Sequence, residues 1–202
     1  MHIIALSDLH GNLPAIPSTD LILLAGDICG HGNSKQQAHW LDTKFRRWLS
    51  TLPAPVIGVA GNHDWAFYDR VAPELPWTYL EDSGTTFKGY NIWGSPWQLE
   101  FYNWAFNLPG PELPFKWNLI PQNTDILICH SPPYGFGDIA RGKHVGCPHL
   151  YNKIVEIKPR LTVFGHIHSG HSLHRVGNMI IANVSILNEE YRLAYPLTEV
   201  HI

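Results

Sequence analysis

The chain has 202 residues, 14 Lys and Arg against 17 Asp and Glu, 13 His, and a net charge of −3 with histidine neutral. That length supports one domain, expected over residues 1–202, with a core large enough to fold alone. The cations are scattered, with Arg46-Arg47 only a doublet, which weighs against long nucleic acid as a substrate; no apolar run reaches the roughly 20 residues of a membrane span, so no membrane partner is expected.

In chain order, His2 to Leu6 is an apolar run that leads into Asp8-Leu9-His10. The N-terminus enters this run at once with no targeting pattern, and Cys29, Cys129 and Cys147 are odd in number and unpatterned. A reduced, cytoplasmic chain is expected, with Cys29 and Cys129 serving as small packing residues beside the ligand types. Leu21 to Ala25 leads into Gly26-Asp27. From Lys35 to Leu52, Ala38, Leu41, Phe45, Trp48 and Leu52 recur at three and four residues, which predicts a helix capped by Asn33 or Ser34 and closed before Pro53. Val56 to Ala60 leads into Gly61-Asn62-His63-Asp64, and Thr86 to Trp93 reads as a further strand.

Residues 93 to 117 carry Trp93, Trp97, Phe101, Tyr102, Trp104, Phe106, Phe115 and Trp117. Three uses fit: a loop packed by its own rings, a wall on which an aromatic leaving group stacks, or a homodimer contact. Ile126 to Cys129 leads into His130; Pro148 to Ile157 predicts a second helix with Pro148 near its first position. Leu161 to Phe164 leads into Gly165-His166-Ile167-His168, Ser169-Gly170-His171 reads as a tight connection, and Asn178 to Val184 as a last strand.

Continuous β-branched and aliphatic runs of this kind are strands buried on both faces, so each ligand type stands at the C-terminal end of a central strand. Carboxylate and amide oxygens alternate with imidazoles, and thiolates are missing. That set suits two divalent cations, with Mn²⁺ first and Fe, Zn, Co or Ni as others, better than an all-oxygen Mg or Ca cage. Two such cations about 3.5–4 Å apart form a clamp for in-line attack on phosphorus. Asp8 and His10, like His166 and His168, are two apart and point the same way if the strand continues. Gly26, Gly61 and Gly165 each precede a ligand and permit positive φ and close backbone approach. Asp27 has two oxygens with which to bridge, and Asn62 offers a neutral carbonyl. Each motif alone is more often a turn or a surface histidine; their joint recurrence at five strand ends carries the argument.

The set D-x-H, G-D, G-N-H-[DE], H and G-H-x-H resembles the calcineurin-like metallophosphoesterase superfamily, from Met1 to about Ser185. Trp93-Gly94-Ser95-Pro96-Trp97-Gln98 with Trp104-Ala105-Phe106-Asn107, and His130-Ser131-Pro132-Pro133 with Gly135-Phe136-Gly137-Asp138 and Val145-Gly146-Cys147, resemble the MPPED (brain protein 239-like) group. Animal members of that group carry Gly where this chain has His166, so a full two-metal site is expected here. The resemblance implies a four-layer αββα sandwich; periodicity alone supports α/β with two sheets. It also implies that Asp8, His10 and His168 hold one metal, Asn62, His130 and His166 the other, and that Asp27 bridges them. His63 would face the scissile phosphate as a transition-state stabiliser or leaving-group acid, and Asp64 would sit behind it and orient its ring. Where many relatives carry another acid three residues after Gly-Asp, this chain continues Ile28-Cys29-Gly30, at a position that is not a ligand.

The expected function is therefore hydrolysis of a small-molecule phosphoester by a metal-bridging hydroxide. A phosphodiester, cyclic nucleotides included, comes first. A phosphomonoesterase or protein phosphatase is the alternative, and a metal-binding scaffold without turnover the second. Trp97, Tyr134, Phe136, His144 and His31 are the candidates for substrate contact.

Overall fold

The computed structural model describes residues 1–202. Its first half runs β1 (His2–Leu6), β2 (Leu21–Ala25), α1 (Ser34–Trp40), a π-helical turn (Leu41–Phe45), α2 (Arg46–Leu49), β3 (Val56–Val59), α3 (Trp65–Tyr68) and β4 (Thr78–Tyr79). The second half begins β5 (Ser83–Phe87), β6 (Tyr90–Ser95), β7 (Gln98–Leu99), β8 (Asn107–Leu108), α4 (Leu113–Trp117), β9 (Ile126–Cys129), β10 (Ile139–Ala140) and β11 (Lys143–His144). It closes with α5 (Pro148–Ile157), β12 (Leu161–Phe164), a 3₁₀ turn (His168–Gly170), β13 (Ser172–Val176), β14 (Met179–Asn183) and β15 (Thr198–His201).

Two large sheets form, in the orders β15-β1-β2-β3-β4 and β13-β14-β12-β9-β6-β5, beside two-stranded pairs β7-β8 and β10-β11. Their central neighbours are parallel: β1 with β2, β2 with β3, β6 with β9, and β12 with both β9 and β14. Antiparallel pairs lie towards the outside, β15 on β1, β5 on β6 and β13 on β14.

Period-two alternation divides the apolar residues among three cores. Ile3 and Ala5 face inward with Leu21, Leu23, Ile57, Ile128 and Val163, filling the space between the sheets. Their neighbours Ile4 and Leu6 face outward and meet Leu41, Phe45, Trp48 and Leu49 of the first helical segment. On the far side Leu127, Cys129 and Phe164 pack against Leu150 and Ile154 of α5 and Trp117 of α4. Helix, sheet, sheet and helix thus form four layers, and both sheets need apolar residues on both faces.

Local sequence explains most boundaries. Asn33 caps α1 in a reciprocal box with Gln36. The helix predicted to Leu52 ends at Leu49, because Pro53 disfavours helical backbone before it. Thr51 and Leu52 bond back to Trp48 and Leu49 instead. The π turn, which periodicity does not reveal, is followed by a turn that brings both Trp48 and Leu49 to the core. α5 runs over the predicted residues and ends where Lys158 turns left-handed, at φ 51°, before Pro159. The strand predicted from Thr86 to Trp93 is a hairpin. Lys88 and Gly89, at φ 47° and 84°, make a two-residue turn whose twist suits paired strands. The aromatic segment is not a free loop: β7 and β8 pair in parallel and α4 follows, with Phe106 and Trp117 buried and Phe101, Tyr102 and Phe115 exposed. No helix is long and apolar enough to cross a membrane.

Candidate metal centre

All five ligand motifs leave parallel strands at one edge of the sandwich, Asp8, Asp27 and Asn62 from one sheet and His130, His166 and His168 from the other. The sheets are tied together there. Ser7 N–H donates to Val184 O at 2.9 Å, Ile186 N–H to Ser7 O at 3.2 Å, and His130 Nδ1 to Ala25 O at 2.9 Å.

The strands stop short of the ligands. β1 ends at Leu6, so Asp8 and His10 do not share a strand face; both reach the centre because their backbones turn left-handed, at φ 57° and 42°. Asp27 and His166 do the same at 52° and 71°. Four non-glycine residues in this disfavoured region at one place are local strain of the kind that collects at functional sites. Of the three glycines, only Gly26 has positive φ, 92°, and a Cβ there would also meet His130 Nδ1 at 2.5 Å. Gly61 is required by closeness alone, since a Cβ would collide with the Asp27 carboxylate.

Asp27 Oδ2 stands 3.5 Å from His10 Nε2 on one side and 3.5 Å from His130 Nε2 on the other. Asn62 Oδ1 lies 2.9 Å from His130 Nε2 and 2.8 Å from His166 Nδ1, and Asp8 Oδ1 lies 3.6 Å from His168 Nε2. Donors sharing one cation at bond lengths of about 2.0–2.2 Å are held roughly 3–3.5 Å apart, so these residues fit two divalent ions. An independent sign is His10 Nε2, buried with no hydrogen-bond partner. Such an atom costs free energy unless something not yet counted binds it.

Tautomers are set from behind. A carbonyl can only accept, so His130 Nδ1 carries a proton for Ala25 O and His168 Nδ1 one for Asn188 O at 2.9 Å. Each Nε2 lone pair is thereby aimed inward. Without metal, burial disfavours charge on His130, but Asp27 outweighs it and raises its pKa to about 9. His168 is likewise raised to about 9, burial being overcome by Asp8. Burial, then the charge of His130, lowers His166 to about 3. Burial would raise Asp8, yet pairing with His168 holds it at about 2.

A pH dependence follows. At pH 7 a cation must displace protons from both His130 and His168, so affinity rises with pH and levels off above about 9. Calorimetry of Mn²⁺ binding in buffers of different ionisation enthalpy should show close to two protons released at pH 7 and few near pH 9.5. Proton-independent binding would contradict this ligand pair.

His63 stands over the Asp27 carboxylate, its Nε2 3.9 Å from Asp27 Oδ2. Burial, resisted by Asp27, keeps it neutral with a pKa of about 4. Asp64 does not touch its ring. The buried carboxylate accepts from Ile28, Cys29 and Gly61 N–H at 3.1, 2.7 and 2.8 Å, stitching the Asp27 loop to the Asn62 loop. The orienting role expected for Asp64 is therefore replaced by a scaffolding one, with burial and Asp27 raising its pKa to about 6. An amide offers one acceptor oxygen to those donors and turns its NH₂ on the rest. Asp64→Asn should cost about 2–4 kcal/mol of stability, read by thermal melting, while turnover per folded, metal-loaded molecule stays within about threefold. A stable variant with crippled turnover would restore the orienting role.

Among the expected substrate contacts, His31 lies in a cleft of about 200 Å³ beside His63, shared with Gln37, Trp65, Asn103 and Trp104. The other four make no hydrogen bond or ring contact with the ligands. Trp97 donates to Asp82 at 2.8 Å and lies under Lys116; Tyr134 meets His144, which pairs with buried Asp138 at 2.7 Å; Phe136 packs on Tyr151 and His174.

The structure adds residues that sequence reasoning missed. Tyr191 sets its ring 4.7 Å from that of His10 and 5.1 Å from that of His168. Asn188 O fixes His168, and Gln37 Nε2 holds His63 O at 2.7 Å. A tyrosine and an asparagine in a polar turn carry no periodicity or ligand pattern. Gln37 was visible only as a polar residue within a helix.

The model of the calcineurin-like phosphoesterase family matches residues 1–170. Human metallophosphoesterase domain-containing protein 1 is 37% identical over 96% of this chain and 68% of its own length. A Caenorhabditis elegans UPF0046 protein is 42% identical over 91% of this chain and 55% of its own length. One solved structure superposes with a TM-score of 0.65 at 18% identity, covering 90% of this chain and 89% of its own, which speaks to fold. With the ligand set gathered at one sheet edge and the match spanning every motif, this chain belongs to the calcineurin-like phosphoesterase family.

Proposed function

We propose that this protein hydrolyses small phosphodiesters, cyclic nucleotides among them, with two divalent cations, Mn²⁺ first. The observation that carries this reading is the Asp27 carboxylate standing 3.5 Å from one imidazole of each ligand group. When bound, two cations supply Lewis acidity at the phosphoryl oxygens and lower the pKa of water beside phosphorus. The chain's own residues do the rest. Asp8, Asp27, Asn62 and the inward-aimed imidazoles would hold the ions. Neutral His63 donates a hydrogen bond to a phosphoryl or leaving-group oxygen.

A diester is favoured over a monoester by charge. Neither Lys nor Arg lines the cleft beside His63, so a monoanionic diester is matched there and a dianionic monoester finds no further cation. Trp65 gives the cleft an aromatic wall. Asn103 and His31 in its lining, with Tyr191 beside His31, are the side chains we assign to the leaving group, ahead of Trp97, Tyr134, Phe136 and His144, whose contacts are made elsewhere. The partner is thus a small molecule. Three buried free cysteines suit a reducing, cytoplasmic setting.

The test is turnover of bis(p-nitrophenyl) phosphate beside p-nitrophenyl phosphate, on metal-stripped protein with and without Mn²⁺. Mn²⁺-dependent cleavage of the diester at least about tenfold above the monoester is expected. Preference for the monoester would move the assignment to a phosphatase, and metal uptake without cleavage of either to a binding scaffold.

A further inference from the structure

A catalytic imidazole is ordinarily held by a hydrogen bond to its second nitrogen. His63 has none: its hydrogen bonds are made by its backbone, N–H to Asp27 Oδ1 at 2.7 Å and carbonyl oxygen from Gln37 Nε2 at 2.7 Å. Asp64, the acid beside it, is spent on three backbone amides. What confines the ring is aromatic. The Trp104 indole meets it at a centroid distance of 3.7 Å and 74° on one side, and the His10 ring at 4.5 Å and 82° on another. The Trp104 contact is closer than the usual roughly 4.5–7 Å of ring pairs.

Trp104 is itself fixed. Ala105 N–H donates to Asn62 O at 3.1 Å, so the loop is bonded to the residue before His63. The loop is pinched at its base by the β7–β8 pair and by Gln98 Nε2 donating to Asn107 Oδ1 at 2.7 Å. Asn107 Nδ2 holds the carbonyls of Phe101 and Tyr102 at its tip, and buried Phe106 anchors it in the core.

We propose that Trp104 is the positioning residue for His63: the aromatic loop, in place of a carboxylate, sets the angle at which the imidazole faces the reacting phosphate. The inference rests on the role of His63 in the proposed hydrolysis. Its consequence is that Trp104 acts only through His63.

A double-mutant cycle on the Mn²⁺-loaded protein with bis(p-nitrophenyl) phosphate tests this. Trp104→Leu, which keeps bulk and removes the ring, should lower kcat about 10–100-fold with KM within about threefold. Trp104→Phe should recover most of that loss. In a His63→Ala background, Trp104→Leu should cost less than about twofold more. Losses that multiply, with KM rising, would overturn the proposal and make Trp104 a substrate contact. A second readout does not need activity. In Zn²⁺-loaded protein the His63 ring protons, identified by their loss in His63→Ala, should carry a ring-current shift from the indole, retain a shift in Trp104→Phe and lose it in Trp104→Leu. Unshifted protons in the unaltered protein would overturn the proposal. A shift present in a protein that cleaves no phosphoester would uphold the contact and sink the hydrolytic reading instead.

Discussion

Replacing Asp27 with Ala should remove metal from both halves of the centre and lower turnover by at least about 10³-fold, because in the proposed centre one carboxylate would serve both ligand groups. Its Oδ2 lies 3.5 Å from His10 Nε2 and from His130 Nε2, and the side chain is buried, 3% exposed. Oδ1 also receives the His63 N–H at 2.7 Å, so removal loosens the catalytic loop. Asp27→Asn separates these effects: it retains an acceptor for His63 but withdraws the charge that draws two cations together. Metal analysis per chain and turnover should fall together in both variants. A variant that kept two metals would show that the two groups bind independently.

Replacing His63 with Ala should lower kcat by about 10²–10³-fold while metal content stays at the unaltered level. Distance alone does not exclude His63 as a ligand, since its ring nitrogen joins His10 and Asp27 in a group whose donor atoms lie within 4.8 Å of one another. Three observations favour the phosphate-facing role. Its Nε2 stands 3.9 Å from Asp27 Oδ2, against 3.5 Å for His10 Nε2 and for His130 Nε2. No carbonyl or carboxylate behind it fixes a tautomer, as Ala25 and Asn188 do for His130 and His168. It also lines the open cleft, where a substrate must enter. Loss of a metal in His63→Ala would reverse the assignment.

The parts of this account legible in the sequence are those enforced by burial. Five apolar runs had to be strands covered on both faces, and each hands its ligand type to the same edge because the central strands are parallel. Side-chain direction was not legible. Two-residue spacing suggested a shared strand face for Asp8 and His10, but the left-handed turns that deliver them leave no mark in residue type. The Lys88-Gly89 turn was hidden because Lys is an ordinary strand-edge residue and only its following glycine hints at a reversal. Asp64 was misplaced for a related reason: adjacency to His63 says nothing about which way a buried carboxylate points, and three backbone amides decided it. The aromatic segment was visible as composition, but the positions of Trp104 against His63 and Trp97 against Asp82 depend on the β7–β8 pairing.

The most direct test of the two-cation claim is electron paramagnetic resonance of the stripped protein titrated with Mn²⁺ and followed by metal analysis. Binding that saturates at two ions per chain, with the exchange-coupled spectrum of a close pair that disappears in Asp27→Asn, is the predicted result. Saturation at one ion, or two ions with uncoupled spectra, would contradict a carboxylate shared between them.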